Sequence, residues 1–286
     1  MNLSKRKLRL RIVEYVCSAV VAVGILAPVV WMILTSVMYP KDLTALPLKL
    51  IPKEFTFSRY AELFNDTNID DAAYIFKGAL LNSVVIAAFV TLLSLVVGSL
   101  AAYGFARLKF HFKNGLMMLT LFTYMIPPVA MVIPMYLIFS QFGLLDKKSG
   151  LIILYLSFIL PFIIWVMQGF FGSISKSFEE AAEIDGASRL QTLIYIFAPI
   201  ARPGAIATGI LAFLMSWDEF FYSLVFTSSL SAKTMPVAIA EFNGKFTIDY
   251  GMISVAGVIA SLIPVLITLF FQKYIVMGMT SGGVKE

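Results

Sequence analysis

Long apolar stretches carrying few charges alternate along the chain with short clusters of Lys and Arg. The hydrocarbon core of a bilayer, about 30 Å thick, takes roughly 20 apolar residues as a helix, and an open chain in lipid has no other way to satisfy its backbone. Six segments reach that length, at approximately 13–36, 78–104, 115–139, 150–171, 203–227 and 251–275. The expected fold class is all-α, a polytopic membrane protein with six transmembrane helices. An even number of spans puts both termini on one side.

Basic residues in short loops set which side. Lys5, Arg6, Lys7, Arg9 and Arg11 precede the first span, and Arg107, Lys109 and Lys113 crowd the connection from the second to the third. Both clusters belong in the cytoplasm by the positive-inside rule. Lys147 and Lys148 stand on the opposite side beside Asp146 and are outvoted. The expected organisation is a basic cytoplasmic N-terminus (1–12), a six-span domain (13–275) containing a cytoplasmic loop (172–202), and a cytoplasmic tail (276–286). The first apolar run, Tyr15 to Leu34, is longer than a signal-peptide core and ends in Trp31-Met-Ile-Leu34, so a retained anchor is expected.

Composition agrees with this pattern. Only 14% of the 286 residues are charged and the mean hydropathy is +0.88, too apolar for the surface of a soluble domain of this size. The net charge of +5 is spent on topology clusters, so no nucleic-acid partner is expected and membrane lipid is. A lone Cys17 and a lone His111 offer no metal site and no catalytic constellation.

Packing signals lie within the spans. Gly204, Thr208, Ala212 and Ser216 recur every four residues, as do Ser94, Gly98 and Ala102, forming small-residue ridges for close helix approach. Pro127-Pro128, Pro161 and Pro264 are each expected to bend or break a span. In the first outer loop, Ser58 to Phe64 has apolar residues at helical spacing and predicts a short surface helix.

The segment 177–203 carries the chemistry. Ser177-Phe-Glu-Glu180 reads as a capping box opening a short helix, which Gly186 ends in the left-handed conformation. Ser188-Arg-Leu-Gln191 is a second box, starting an arm that stops or kinks near Pro199 and Pro203. The prediction is a helical hairpin on the cytoplasmic face.

Glu180-Ala-Ala-Glu-Ile-Asp185-Gly186-Ala187, with Pro199 thirteen positions past the Gly, resembles the EAA loop of ABC importer permeases. Arg202-Pro203 is similar to the carbohydrate branch, of the maltose-transporter type. Asn82-Ser83, Ala101-Ala-Tyr103, Ala106-Arg107-Leu108, Met125-Ile-Pro-Pro128, Ser216-Trp-Asp-Glu-Phe220 and Gly278-Met-Thr280 extend the resemblance over nearly the whole chain; Leu193, Tyr195 and Ala198 depart from it. The resemblance implies a type I ABC importer permease fold and a transport subunit with no catalytic residues of its own. It implies ATP and Mg2+ bound by two separate ATPase subunits, a second permease, an extracytoplasmic sugar-binding protein, and a sugar of the di- or oligosaccharide class as cargo. Glu179, Glu180, Ala181, Ala182, Asp185, Gly186 and Ala187 would form the helix that docks on the ATPase. The absence of Gly-x-x-x-x-Gly-Lys-Ser/Thr from the sequence is consistent with hydrolysis in a partner.

Two further groups are candidate sites. Asp218 and Glu219 lie in a span, where a charge costs at least a few kcal/mol (about 2.5 or more) unless paired or wetted, and the neighbouring Trp217, Phe220 and Tyr222 can stack on sugar faces. They are candidates for the translocation path, against a purely structural polar contact. Phe242, Asn243, Gly244 and Lys245 resemble the outer loop that contacts a docked binding protein. The nearest alternative is a permease of this superfamily for glycerol phosphate or a glucosylated osmolyte. An ion-coupled secondary transporter would leave the hairpin without a purpose.

Overall fold

The computed structural model describes residues 3–47, 50–52, 54–65, 72–242 and 249–281, and among these it contains helices, turns and no strand. In chain order the helices are α1 (Leu3–Ser36), α2 (Pro40–Leu43), α3 (Ser58–Asn65), α4 (Ala72–Arg107), α5 (Lys113–Met125), α6 (Pro128–Gln141) and α7 (Lys148–Ser173). They continue as α8 (Ser177–Ile184), α9 (Arg189–Thr192), a π-helical turn (Leu193–Phe197), α10 (Ala198–Ile200), α11 (Arg202–Trp217), α12 (Phe221–Phe226), α13 (Met235–Glu241) and α14 (Tyr250–Ser281).

Four helices among the described residues are long and apolar enough to cross a bilayer singly: Leu10–Ser36, Tyr74–Arg107, Lys148–Ser173 and Tyr250–Tyr274. Two bent pairs raise the number to six if each counts as one span, α5 with α6 at 94° and Arg189–Ile200 with α11 at 83°. The expected third span, 115–139, is therefore two helices. Pro127 removes a donor and forces Ile126 out of the helical region, to ψ 125°, and Pro127 itself sits at ψ 130°. The expected fifth span, 203–227, is interrupted as well: α11 stops at Trp217 and α12 restarts at Phe221. Pro161 and Pro264, by contrast, lie inside continuous helices. A single proline is tolerated there because packed neighbours can accommodate the freed carbonyl.

The chain forms two compact units. The first comprises 1–74 and 239–261. Its polar ties join α1 to the start of α14 and to α3: Thr35 Oγ1 donates to Ser254 Oγ at 2.8 Å, and Ser36 Oγ pairs with Tyr60 Oη at 2.8 Å. The surface helix expected at Ser58 to Phe64 is α3, but Arg59 is buried, donating to Met38 O and facing Asp249.

The second unit, 75–238 with 262–286, is built around α7. Leu151, Tyr155, Ile159, Ile163, Met167 and Phe171, four residues apart, are all buried along one face of α7. The small-residue ridges are where backbones close on this helix. A Cβ on Gly98 of α4 would sit 2.9 Å from Ile163 Cγ2, and one on Gly204 of α11 would lie 2.5 Å from the Phe170 ring. Gly209 of α11 meets Leu95 of α4 in the same way, at 2.9 Å. Lipid offers no hydrophobic drive between helices, so this close approach supplies the dispersion contact that holds α4, α7 and α11 together.

Candidate functional site

The hairpin after α7 is defined residue by residue. Helix α8 opens on Lys176, whose carbonyl accepts from the Glu179 and Glu180 amides at 2.9 and 3.0 Å. The capping box expected at Ser177 and Glu180 does not form. Because the helix begins one residue earlier, Ser177 is already inside it, and its hydroxyl pairs with Ser175 Oγ at 2.8 Å. The other end follows expectation. Gly186 adopts φ +75°, its amide donates to Glu183 O at 3.1 Å, and the Ala187 amide donates to Ala182 O at 2.9 Å. These are the two bonds of a Schellman close, which needs a residue free to enter the left-handed region.

Ser188 caps the returning arm in a complete box: its hydroxyl accepts from the Gln191 amide and its amide donates to Gln191 Oε1 at 2.8 Å. The next residue, Arg189, clasps the two arms by reaching Glu179 at 2.5 Å and Glu183 at 2.9 Å. Glu179 is consumed in this clasp and Ala182 is buried. Glu180, Ala181, Asp185 and Gly186 face solvent, together with the apolar Phe178, Ile184 and Leu190. The hairpin thus has an inner, locked side and an outer side of mixed apolar and acidic character. A cavity of about 840 Å³ beside it is lined by Arg107, Lys109, Lys113 and Lys176 together with Glu179, Glu180 and Glu183.

The five residues expected on the translocation path separate. Trp217 is buried and stacked on Phe213 at 5.6 Å. Asp218 is exposed, its carboxylate without a hydrogen-bond or ion-pair partner among the described residues, and Phe220 is exposed beside it. Glu219 turns inward, its two oxygens accepting from the Tyr222 amide at 2.8 Å and the Ser223 amide at 3.1 Å. It therefore bridges the gap between α11 and α12. Glu219 and Tyr222 line a cavity of about 610 Å³ with Thr123, Tyr124, Ser157 and Phe158. Phe158 stacks on Tyr222 at 5.5 Å, and the break between α5 and α6 forms one wall. Of the expected outer contact, Phe242 is buried, and Asn243, Gly244 and Lys245 lie outside the described residues.

Residues 94–281 match the family described as binding-protein-dependent transport system inner membrane component. The chain belongs to this family. It is a multi-pass membrane protein and a transport component rather than an enzyme. The permease is 33% identical to the trehalose/maltose transport system permease protein MalG of Thermococcus litoralis over 96% of its own length and 97% of the relative's. It is 37% identical to the trehalose transport system permease protein SugB of Mycobacterium tuberculosis, covering 91% and 92%. Among solved structures, a chain from a bacterial ABC transporter involved in the import of the acidic polysaccharide alginate superposes with a TM-score of 0.78 at 26% identity, covering 96% and 98%.

Two residues of the permease escaped sequence reasoning as structural determinants. Asp146, read only as a charge beside two lysines, has φ +55° and accepts from the Ser228 and Ser229 amides at 3.0 Å each. Partial burial pushes its carboxyl up, but the hydrogen bonds from Ser229 and Ser228 outweigh burial and hold it below the usual carboxylate range. The other is Arg107, read as a topology signal and as part of the Ala106-Arg107-Leu108 motif, which also donates to the carbonyls of Phe171 and Ile174 at the end of α7. Nothing local in the sequence names the partners of either, because those partners are more than sixty residues away.

Proposed function

We propose that this permease is one of two membrane-spanning subunits of an ATP-driven importer that carries a di- or oligosaccharide delivered by an extracytoplasmic binding protein. The hairpin formed by Glu179, Glu180, Ala181, Ala182, Asp185, Gly186 and Ala187 docks on a separate ATPase subunit, which binds ATP and Mg2+. The observation that carries this reading is the hairpin's construction. A Schellman close and the Arg189 clasp stiffen it, while Phe178, Glu180, Ile184 and Asp185 stay exposed for a partner. Relatives named for trehalose and maltose transport, and a structural neighbour from an alginate importer, support the sugar class. The basic clusters support cytoplasmic termini, with 1–12 and 276–286 on the same side as the loop 172–202.

Within the membrane domain, 13–275, the cavity bearing Glu219 and Tyr222 is the stretch of path this subunit contributes. Its aromatic walls and few polar groups suit a sugar's apolar faces and hydroxyls. Trp217 is buried against Phe213, while Asp218 and Phe220 are exposed at the same break. Phe242 to Lys245 is the contact offered to the binding protein.

The test is uptake of labelled trehalose and maltose by proteoliposomes holding the permease with its co-purified partners, with and without Glu180→Lys plus Gly186→Asp. ATP-dependent uptake lost in the double variant is the expected result. Uptake indifferent to the hairpin, or driven by an ion gradient without ATP, would replace this reading with a secondary transporter.

A further inference from the structure

The end of α4 touches both roots of the hairpin. Only three residues, Ile174 to Lys176, separate α7 from α8, so the carbonyls of Phe171 and Ile174 mark the first root. Arg107, the last residue of α4, donates to both through Nη2. The second root is the π-helical turn after α9. There the Arg107 guanidinium lies over the Phe197 ring, 4.7 Å from its centroid, and Tyr103, one turn earlier on α4, meets the same ring edge-on at 5.3 Å. Phe171 closes the group, 6.2 Å from both Tyr103 and Phe197. Phe197 and Phe171 are fully buried, so the cluster is packed core rather than a loose surface contact.

Three features make this more than a helix cap. An arginine at the end of α4 completes the unpaired carbonyls of a different helix, α7, which binds the two ends to each other rather than to water. A π-helical turn is an energetically marginal element, found mostly where a helix must adjust. It is this turn, not the straight part of the arm, that the cation and the aromatic ring grip. Finally, Arg107 Nε is buried without a hydrogen-bond partner among the described residues, so the guanidinium retains one unsatisfied donor in this conformation.

We infer that Arg107 is a positioning residue that transmits displacement of the hairpin to α4. The inference rests on the coupling reading above and deepens it. Motion of α8 and α9 driven from the cytoplasm reaches Ile174 and Phe197 first. Arg107 holds both, and α4 carries the displacement along its length to the Gly98 and Leu95 contacts with α7 and α11. Planarity is required, because one group must lie on a ring face while its Nη2 addresses two carbonyls together. An ammonium cannot do both.

The experiment is reconstitution of the permease with its partner subunits and binding protein, measuring labelled trehalose taken up per ATP hydrolysed. The variants are Arg107→Met, Arg107→Lys and Tyr103→Phe, with Glu180→Lys plus Gly186→Asp alongside. Assembly is quantified by co-purification of the ATPase. The expected result is assembled complexes whose ATP hydrolysis stays within about twofold of the parent, and whose uptake per ATP falls at least tenfold for Arg107→Met and severalfold for Arg107→Lys. Tyr103→Phe, which keeps the ring, stays near the parent. Uptake per ATP unchanged in the Arg107→Met complex overturns the inference, as does full recovery in Arg107→Lys, which would reduce the role to charge. If Arg107→Met does not assemble, Arg107→Lys alone decides by the same ratio. A hairpin double variant that leaves uptake per ATP intact defeats the coupling reading itself; one that abolishes it while the Arg107 variants behave as the parent defeats only the transmission role.

Discussion

Arg189 and Glu179 face each other across the turn of the hairpin at 2.5 Å, and the same guanidinium holds Glu183 one helical turn further on. Arg189 is half exposed, so a single such pair would contribute only about 0.2–1 kcal/mol. Its value is geometric, since it fixes the angle between the arms. Arg189→Gln is expected to reduce ATP-dependent uptake severalfold with the complex still assembled, and Arg189→Lys to fall between, because one ammonium serves two carboxylates poorly. Uptake and co-purification measured on the same preparations check this.

Gly186 closes the first arm at φ +75° with open space around its Cα, so strain rather than collision governs substitution. Gly186→Ala should destabilise the hairpin by about 1 kcal/mol and Gly186→Asn by less, since Asn enters the left-handed region more readily. Limited proteolysis of the loop 172–202 should show Ala cut faster than Asn, and Asn faster than the parent.

The glycines of the helix contacts should divide by what a methyl group would meet. At Gly204 it collides with the Phe170 ring at 2.5 Å, at Gly98 with Ile163 at 2.9 Å, and at Gly104 with nothing within 4 Å. Gly204→Ala should therefore cost about 1–3 kcal/mol by overpacking, and Gly98→Ala less because the Ile163 methyl can shift. Gly104→Ala should be neutral or slightly stabilising by up to about 1 kcal/mol, since alanine favours the helix. Melting temperatures in one detergent should fall in that order.

Asp146 ties the connection before α7 to the segment after α12. Its folded carboxyl is held below the usual range, so its contribution is complete above the unfolded value, about 3.9, and is lost as pH falls through the folded one. Protection of the Ser228 and Ser229 amides from hydrogen exchange should accordingly be independent of this group from pH 5 to 8, once intrinsic rates are divided out. Asp146→Asn should retain most of that protection, since one Asn amide oxygen can accept from both amides, as Asp146 Oδ1 does, and Asn tolerates φ +55°. Asp146→Ala should lose it, at a cost of about 1–3 kcal/mol for a charged hydrogen-bond acceptor.

Glu219 and Asp218 are neighbours with different surroundings. Glu219→Gln leaves one acceptor where two amides now bond, and should lower the melting temperature by the equivalent of about 1–3 kcal/mol. Asp218→Asn disturbs no hydrogen bond or ion pair among the described residues and should leave the melting temperature unchanged. A change in uptake without a change in melting temperature for Asp218→Asn would assign that carboxylate to transport rather than folding.

Much of this was legible in the chain. Helix class follows from apolar length alone, because lipid leaves the backbone no alternative. The hairpin follows from local chemistry: Ser188 with Gln191, and Gly186 after Asp185, act over three or four residues, the range in which side chains can satisfy their own backbone. The same local reasoning misplaced the Ser177 box, since whether a helix begins at residue 176 or 177 depends on what else holds Lys176, Ser175 and Glu179.

Other properties belong to the tertiary structure. Pro127-Pro128 and Pro264 were both expected to bend or break a span, yet only the pair divides one, because two successive prolines leave more of the helix ladder unmade than a single one does. Glu219 becomes a bridge between α11 and α12 only once those helices part. Arg107 was visible as a charge near a span end and within the Ala106-Arg107-Leu108 motif, and Asp146 only as a charge. Their roles depend on carbonyls and amides brought from 64 to 83 positions away, and no spacing rule in a sequence reaches that far. The sequence alone determined which segments are apolar enough to cross a bilayer and where the hairpin after α7 turns, through solvation and short-range hydrogen bonding. Which helices meet, and which charges tie them, was decided by the close packing of glycine ridges against α7.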